Sequence, residues 1–148
     1  MLYNGPMDKN TPVEIDGNRI WLDNGILYNE YHDDLAIKSI IKVEVASLEL
    51  IQKAQIELLP MIVLLVNMKP GSFKLGPSDF GKILSSVDLL NHMTCIYVVG
   101  ADEDFKKKAS IMNKIFFGDK VQFIDSLKEA QAEAQKTIEA GVSLFEED

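Results

Sequence analysis

Met61-Ile-Val-Leu-Leu-Val-Asn-Met68 holds a single strongly polar side chain, Asn67, and its apolar positions do not alternate with polar ones. A strand with one face in water alternates with period two, whereas a strand covered on both faces reads as a continuous apolar run. The stretch therefore predicts a buried central strand of an α/β sheet. Open α/β sheets bind ligands and partners beyond the carboxyl ends of such strands. The following loop, Lys69-Pro-Gly-Ser-Phe-Lys-Leu-Gly-Pro77, is thus the first place to look for a site.

Outward from that strand, the chain alternates. Phe80, Ile83, Leu84, Val87 and Leu90 lie on one helical face, and Gly76-Pro77-Ser78-Asp79 is a helix start, with Pro for the first turn, Ser as cap and Asp toward the positive end of the dipole. Met93-Thr-Cys-Ile-Tyr-Val-Val99 predicts a second buried strand closed by Gly100. Asp102-Glu-Asp104 opens a helix whose inner face carries Phe105, Ala109, Met112, Ile115 and Phe116, with Gly118 as its stop. Val121-Gln-Phe-Ile124 is a third short strand, and Ser126-Leu-Lys-Glu129 is a capping box for a last helix running to Gly141.

Toward the N-terminus, the segment 39–58 mixes strand-like and helix-like spacing. It contains enough helix formers to predict a helix, starting between Ser39 and Ser47 and ended by Pro60. Val13-Glu-Ile15 and Arg19-Ile-Trp-Leu22 carry strand residues around Asp16-Gly17. Asp23-Asn24-Gly25 is a hairpin signal, because Asn and Gly tolerate positive φ, and Ile26-Leu-Tyr-Asn-Glu-Tyr31 is the return strand. The predicted class is α/β: a mixed β-sheet with an N-terminal antiparallel hairpin, then alternating helices and parallel strands, in the order β-β-α-β-α-β-α-β-α. One domain is expected over 13–141, preceded by a flexible arm at 1–12 and followed by an acidic tail at 142–148.

Composition narrows the function. The chain has 148 residues, a usual size for one domain, and carries a net charge of −8 from 15 basic and 23 acidic residues. Arg19 is the only arginine. Too little of the preferred phosphate and base-edge ligand, on an acidic chain, argues against nucleic acid and anionic membrane as partners. Cys95 is the lone cysteine, so no internal disulfide forms, which is compatible with the cytoplasm. No apolar run approaches the ~20 residues that span a bilayer. The first residues show no basic region followed by an apolar run, so no signal peptide is expected.

Four short motifs then point to a family. Asp23-Asn-Gly-Ile-Leu27, the apolar strand leading to a capped helix, Cys95-Ile-Tyr-Val-Val99 with Asn113-Lys-Ile-Phe-Phe117, and Val121-Gln-Phe-Ile-Asp-Ser-Leu-Lys-Glu-Ala130 resemble the small bacterial STAS-like (STAS/SEC14-like) proteins, relatives of the anti-sigma-factor antagonists. The resemblance implies a STAS-like fold and a non-catalytic role in protein–protein interaction or regulation, with possible self-association. The SEC14 association implies the alternative of a carrier or sensor of a small apolar, lipid-like ligand. Signalling STAS domains carry an acidic residue directly before a phosphorylated Ser or Thr. Here Pro77 precedes Ser78, and the family's terminal Trp-Leu has no counterpart, which speaks against a kinase-driven switch.

The candidate interaction or switch loop is Ser72, Phe73, Leu75, Ser78 and Asp79, with Phe73 and Leu75 either packing back on the core or offering an apolar surface. Ser78 reads as a helix cap, with phosphoacceptor as the competing role. His32-Asp33-Asp34 reads as a solvated loop against a metal site, His92 as a helix-end cation, Asp102-Glu103-Asp104 as first-turn acids, Lys106 to Lys108 as a solvated face, and Cys95 as an inert thiol inside a strand. No group of residues shows catalytic, phosphate-cradling or metal-ligating spacing, so no catalytic residue, no metal and no cofactor are expected.

Overall fold

The computed structural model describes residues 12–32, 36–66, 88–116 and 120–147, with the backbone alone at 112–116 and 142–147. Its strands are β1 (Val13–Ile15), β2 (Asn18–Asp23), β3 (Ile26–His32), β4 (Leu59–Val66), β5 (Met93–Val99) and β6 (Val121–Ile124). They form one mixed sheet in sequence order, β1-β2-β3-β4-β5-β6. β1, β2 and β3 pair antiparallel, and β3 to β6 run parallel. The expected hairpin is thus lengthened by a third strand, β1. The helices are α1 (Ile37–Lys53), α2 (Glu103–Phe116) and α3 (Leu127–Glu147), with a 3-10 turn at Leu89–His92. The helix expected from Pro77 to Leu90 lies outside the described residues, apart from that final turn.

The two hairpins are set by their turn residues. Asp16 and Gly17 have φ of 51° and 83°, and Asn24 and Gly25 have φ of 53° and 76°. Two successive positive φ values define the turn whose twist matches a hairpin, and Asp-Gly and Asn-Gly reach it cheaply. The turn at Asn24-Gly25 fixes the register, pairing Trp21 with Tyr28 and Arg19 with Glu30.

β4 is interior, between β3 and β5, and its side chains divide between two cores. Leu59, Met61 and Leu65 join Ile20, Leu27, Tyr31, Ile96 and Val98 on one face, under Ile40, Val43 and Ile51 of α1. Ile62 and Leu64 join Ile26, Tyr28 and Tyr97 on the other, under Ala130 and Ala134 of α3. Burial on both faces is the reason the stretch is apolar without alternation. Right-handed crossovers between strands laid down in order keep their helices on one side. Phe105 of α2 accordingly packs toward the α1 face, edge-on to Phe123 at 6.4 Å. α3 follows the last strand, has no further strand to reach, and returns across the opposite face. It continues past Gly141, where the sequence predicts its end, to Glu147.

Pro60 does not end α1. It is the second residue of β4, and the β4–β5 register shifts between Leu59 and Met61, the kind of irregularity that accommodates a residue with no N–H to give the ladder. α1 ends instead at Lys53, stopped by Gln55 beyond it, in the left-handed region at φ 59°. Gln55 N–H donates to the Gln52 carbonyl, and Ile56 N–H to that of Ile51, each at 3.1 Å. That pair of bonds is a Schellman stop. α1 also starts earlier than expected, at Ile37, and its turns carry Ile41, Val43 and Val45 as helix. Gly100 closes β5 as expected, for a steric reason: a Cβ there would lie 2.4 Å from the Leu65 carbonyl oxygen, at φ +92°.

Candidate functional site

Alternation places Arg19, Trp21, Tyr28, Glu30 and His32 on the α3 side of β2 and β3. Glu30 is buried, and its carboxylate accepts Arg19 Nε at 2.7 Å and Nη2 at 3.1 Å, a two-pronged fork across the hairpin. Two residues further along β3, His32 Nε2 lies 2.8 Å from the same Glu30 Oε1. The Arg19 hydrogen bonds hold the Glu30 carboxyl below its usual range against the opposing effect of burial, and His32 adds to them. Glu30 in turn raises Arg19. His32 is fixed through its backbone as well, its N–H donating to the buried Asn18 Oδ1 at 2.9 Å.

The array continues into an aromatic pair. Trp21 stacks on Tyr28 with centroids 4.9 Å apart and planes 5° apart, and the Arg19 guanidinium carbon lies 5.7 Å from the Trp21 ring centroid. Tyr28 OH accepts Gln131 Nε2 of α3 at 3.0 Å, which anchors the inner end of the strip. At the outer end the Arg19 and His32 side chains keep 43% and 32% of their surface exposed against 10% for Glu30, so the guanidinium and the imidazole face outward over a covered carboxylate.

Chemically the strip is a braced array of guanidinium, carboxylate, imidazole and stacked aromatic groups. Glu30 orients His32 through Nε2 and spends its own charge on Arg19. An imidazole held by a carboxylate is half of a general-base arrangement, and no third group is bonded to His32 Nδ1 among the described residues. His32 is therefore not the solvated loop residue that its neighbours in sequence suggest. It is the last residue of β3, half-buried and paired, while Asp33 and Asp34 lie outside the described residues.

The other sequence candidates are placed as follows. Ser72, Phe73, Leu75, Ser78 and Asp79 lie outside the described residues. His92 ends the 3-10 turn, with Nδ1 2.9 Å from the Glu57 carbonyl oxygen. Asp102 caps α2, its Oδ1 accepting Phe105 N–H at 2.7 Å, and Glu103 and Asp104 pair with Lys106 and Lys108. Cys95 is half-buried, not sealed in the strand, with Sγ 3.7 Å from Thr137 Oγ1, which also meets Tyr97 OH at 3.1 Å. Burial raises the Tyr97 phenol. Among the described residues no group of His, Cys, Asp and Glu gathers to hold a metal ion, and no helix is long and apolar enough to cross a membrane.

A second feature lies at the opposite edge of the sheet. A shallow, open groove of about 330 Å³ runs between β6 and α3, lined by Gln122, Phe123, Ile124, Asp125, Glu129, Ala132 and Glu133.

No known family model matches the chain, and no curated protein matches it in sequence.

Proposed function

We propose that this chain is a non-catalytic protein-interaction module of the STAS-like kind, acting in the cytoplasm and binding a partner protein through the Arg19–Trp21–His32 strip. The observation that supports this reading most is the ordering of that strip: a guanidinium forked onto a covered carboxylate, an indole stacked on a phenol, and an imidazole tied at both ring and backbone. Trp, Tyr and Arg dominate protein–protein hot spots. Side chains already held in place lose little entropy when a partner covers them. Asp102 caps α2, Glu103 and Asp104 pair with Lys106 and Lys108, and Glu30 is held by Arg19 and His32, an arrangement that favours recognition over catalysis.

A photo-crosslinking side chain in place of the exposed Glu14, whose register partner is Arg19, tests the reading in the native host. The expected result is one dominant protein adduct, lost when Arg19→Gln and Glu30→Gln are combined. The same crosslinker at exposed Glu49 on α1 gives none. Equal adducts from both positions, or none from Glu14, contradict the proposal.

A further inference from the structure

We propose that the partner protein places a hydrogen-bond donor on Nδ1 of His32, and that a proton taken up at that nitrogen expels it. This rests on the interaction-module reading and assigns the strip its partner chemistry and an acid-triggered release.

The hydrogen bonds decide which ring nitrogen carries the proton. Glu30 Oε1 accepts Arg19 Nε at 2.7 Å, and the Arg19 hydrogen bonds hold the Glu30 carboxyl below its usual range. An ionised carboxylate only accepts. His32 Nε2, 2.8 Å from the same oxygen, therefore donates to it. A neutral imidazole has one N–H, so Nδ1 holds a bare lone pair. That nitrogen has no partner among the described residues, on a side chain that is partly exposed. Turning the ring to bring Nδ1 onto Glu30 would set lone pair against carboxylate. The bond from His32 N–H to Asn18 Oδ1 fixes the backbone that carries the ring.

The surroundings favour a donor over an anion at Nδ1. Among the described residues, the charged groups about the imidazole are Glu30 on its own strand and Arg19 on β2, with Glu14 of β1 acting on Arg19 in turn. Val66, the register partner on β4, is apolar, and α3 meets the strip through the neutral Gln131 amide. An anionic partner group would approach Glu30, Glu14 and a chain of net charge −8, which disfavours it. A peptide N–H, a hydroxyl or an ammonium group fits the lone pair. Imidazoles change charge between about pH 5 and 8. Glu30, held below its ordinary value of 4.5, stays ionised throughout that range. A proton arriving there goes to Nδ1, which then donates. Two donors face each other, and the hydrogen bond to the partner is lost.

Two measurements on the full chain test this. Nitrogen NMR of the imidazole reads the tautomer, and the expected state at pH 8 is a proton on Nε2 and none on Nδ1. The photo-crosslinker in place of Glu14 then reads binding in native-host lysate adjusted from pH 8 to pH 5.5, at a chain concentration too low to saturate. The adduct is expected to fall about tenfold per pH unit below the His32 midpoint seen by NMR, because only the neutral ring binds. His32→Gln, whose amide offers a donor to Glu30 and an acceptor to the partner at every pH, weakens the adduct at pH 8 and flattens the profile. His32→Lys, a cation throughout, abolishes the adduct at pH 8, and amide spectra confirm that both variants are folded. A proton on Nδ1 at pH 8, an adduct that grows on acidification, or a decline that His32→Gln shares overturns the proposal. An adduct unchanged from pH 8 to pH 5.5 overturns it alone and leaves the module reading standing, whereas no adduct at any pH overturns both.

Discussion

Removing the Glu30 carboxylate leaves Arg19 and His32 without the group that orders them. Glu30→Ala is expected to destabilise the fold by about 0.5–1.5 kcal/mol at pH 7, the net worth of a hydrogen bond whose partners water can reach. The pH sign follows from the lowered Glu30 carboxyl. Its stabilisation is present above the ordinary value of 4.5 and disappears as pH falls through the lower folded value. Urea melts of the wild type and the variant therefore separate at pH 7 and converge at strongly acidic pH. Glu44 behaves in the opposite sense. It is half-exposed by surface area, yet the surrounding protein desolvates its carboxyl and pushes it up to about 8, and it faces the buried Tyr31 phenol, which it helps to raise. Folded protein keeps the Glu44 proton between 4.5 and about 8 while unfolded chain releases it, so stability falls across that range. Glu44→Gln is expected to raise Tm at pH 8 and leave it unchanged near pH 4, and an equal shift at both pH values would contradict the assignment.

At the scale of elements, the informative case is the end of α1. Gln55 occupies a left-handed position where a side chain costs about 1–2 kcal/mol, part of which glycine returns through its freer unfolded chain. Gln55→Gly is expected to stabilise by about 0.5–1 kcal/mol in chemical denaturation, and a loss of stability would show that the stop depends on the Gln side chain. The same case shows what was legible in the sequence. Hairpins, caps and buried strands are local decisions: Asn24-Gly25, Ser126 with Glu129, and the run around Val63 each announce themselves within a few residues. The stop at Gln55 did not, because a residue with an ordinary side chain takes the glycine position, and Pro60 five residues later gave a louder but misleading signal. The Arg19–Glu30–His32 array was readable in principle. Counting outward from the Asn24-Gly25 turn pairs Trp21 with Tyr28 and Arg19 with Glu30, and His32 follows on the same face. Beside Asp33 and Asp34 in the sequence His32 looks like a loop residue, while its partner Glu30 lies two residues back along the strand.

For the whole molecule, the sheet separates two cores, and β3, β4 and β5 give buried residues to both. Ile62 is fully buried in the α3-side core. Ile62→Ala is expected to cost about 2–5 kcal/mol, and Leu65→Ala on the other face a comparable amount, as large-to-small core changes do. A loss under about 1 kcal/mol at either position would show that face to be loosely packed. The braced strip on the hairpin and the acidic groove beside β6 lie at opposite margins of this one sheet. The central claim is that the strip binds a partner protein. Its most direct test is size-exclusion chromatography of the tagged chain in clarified lysate of its native host. The account predicts elution within a larger complex, and elution at the mass of the lone, folded chain when Arg19→Gln and Glu30→Gln are combined. Wild type eluting as the lone chain, or a complex indifferent to that double substitution, would contradict it.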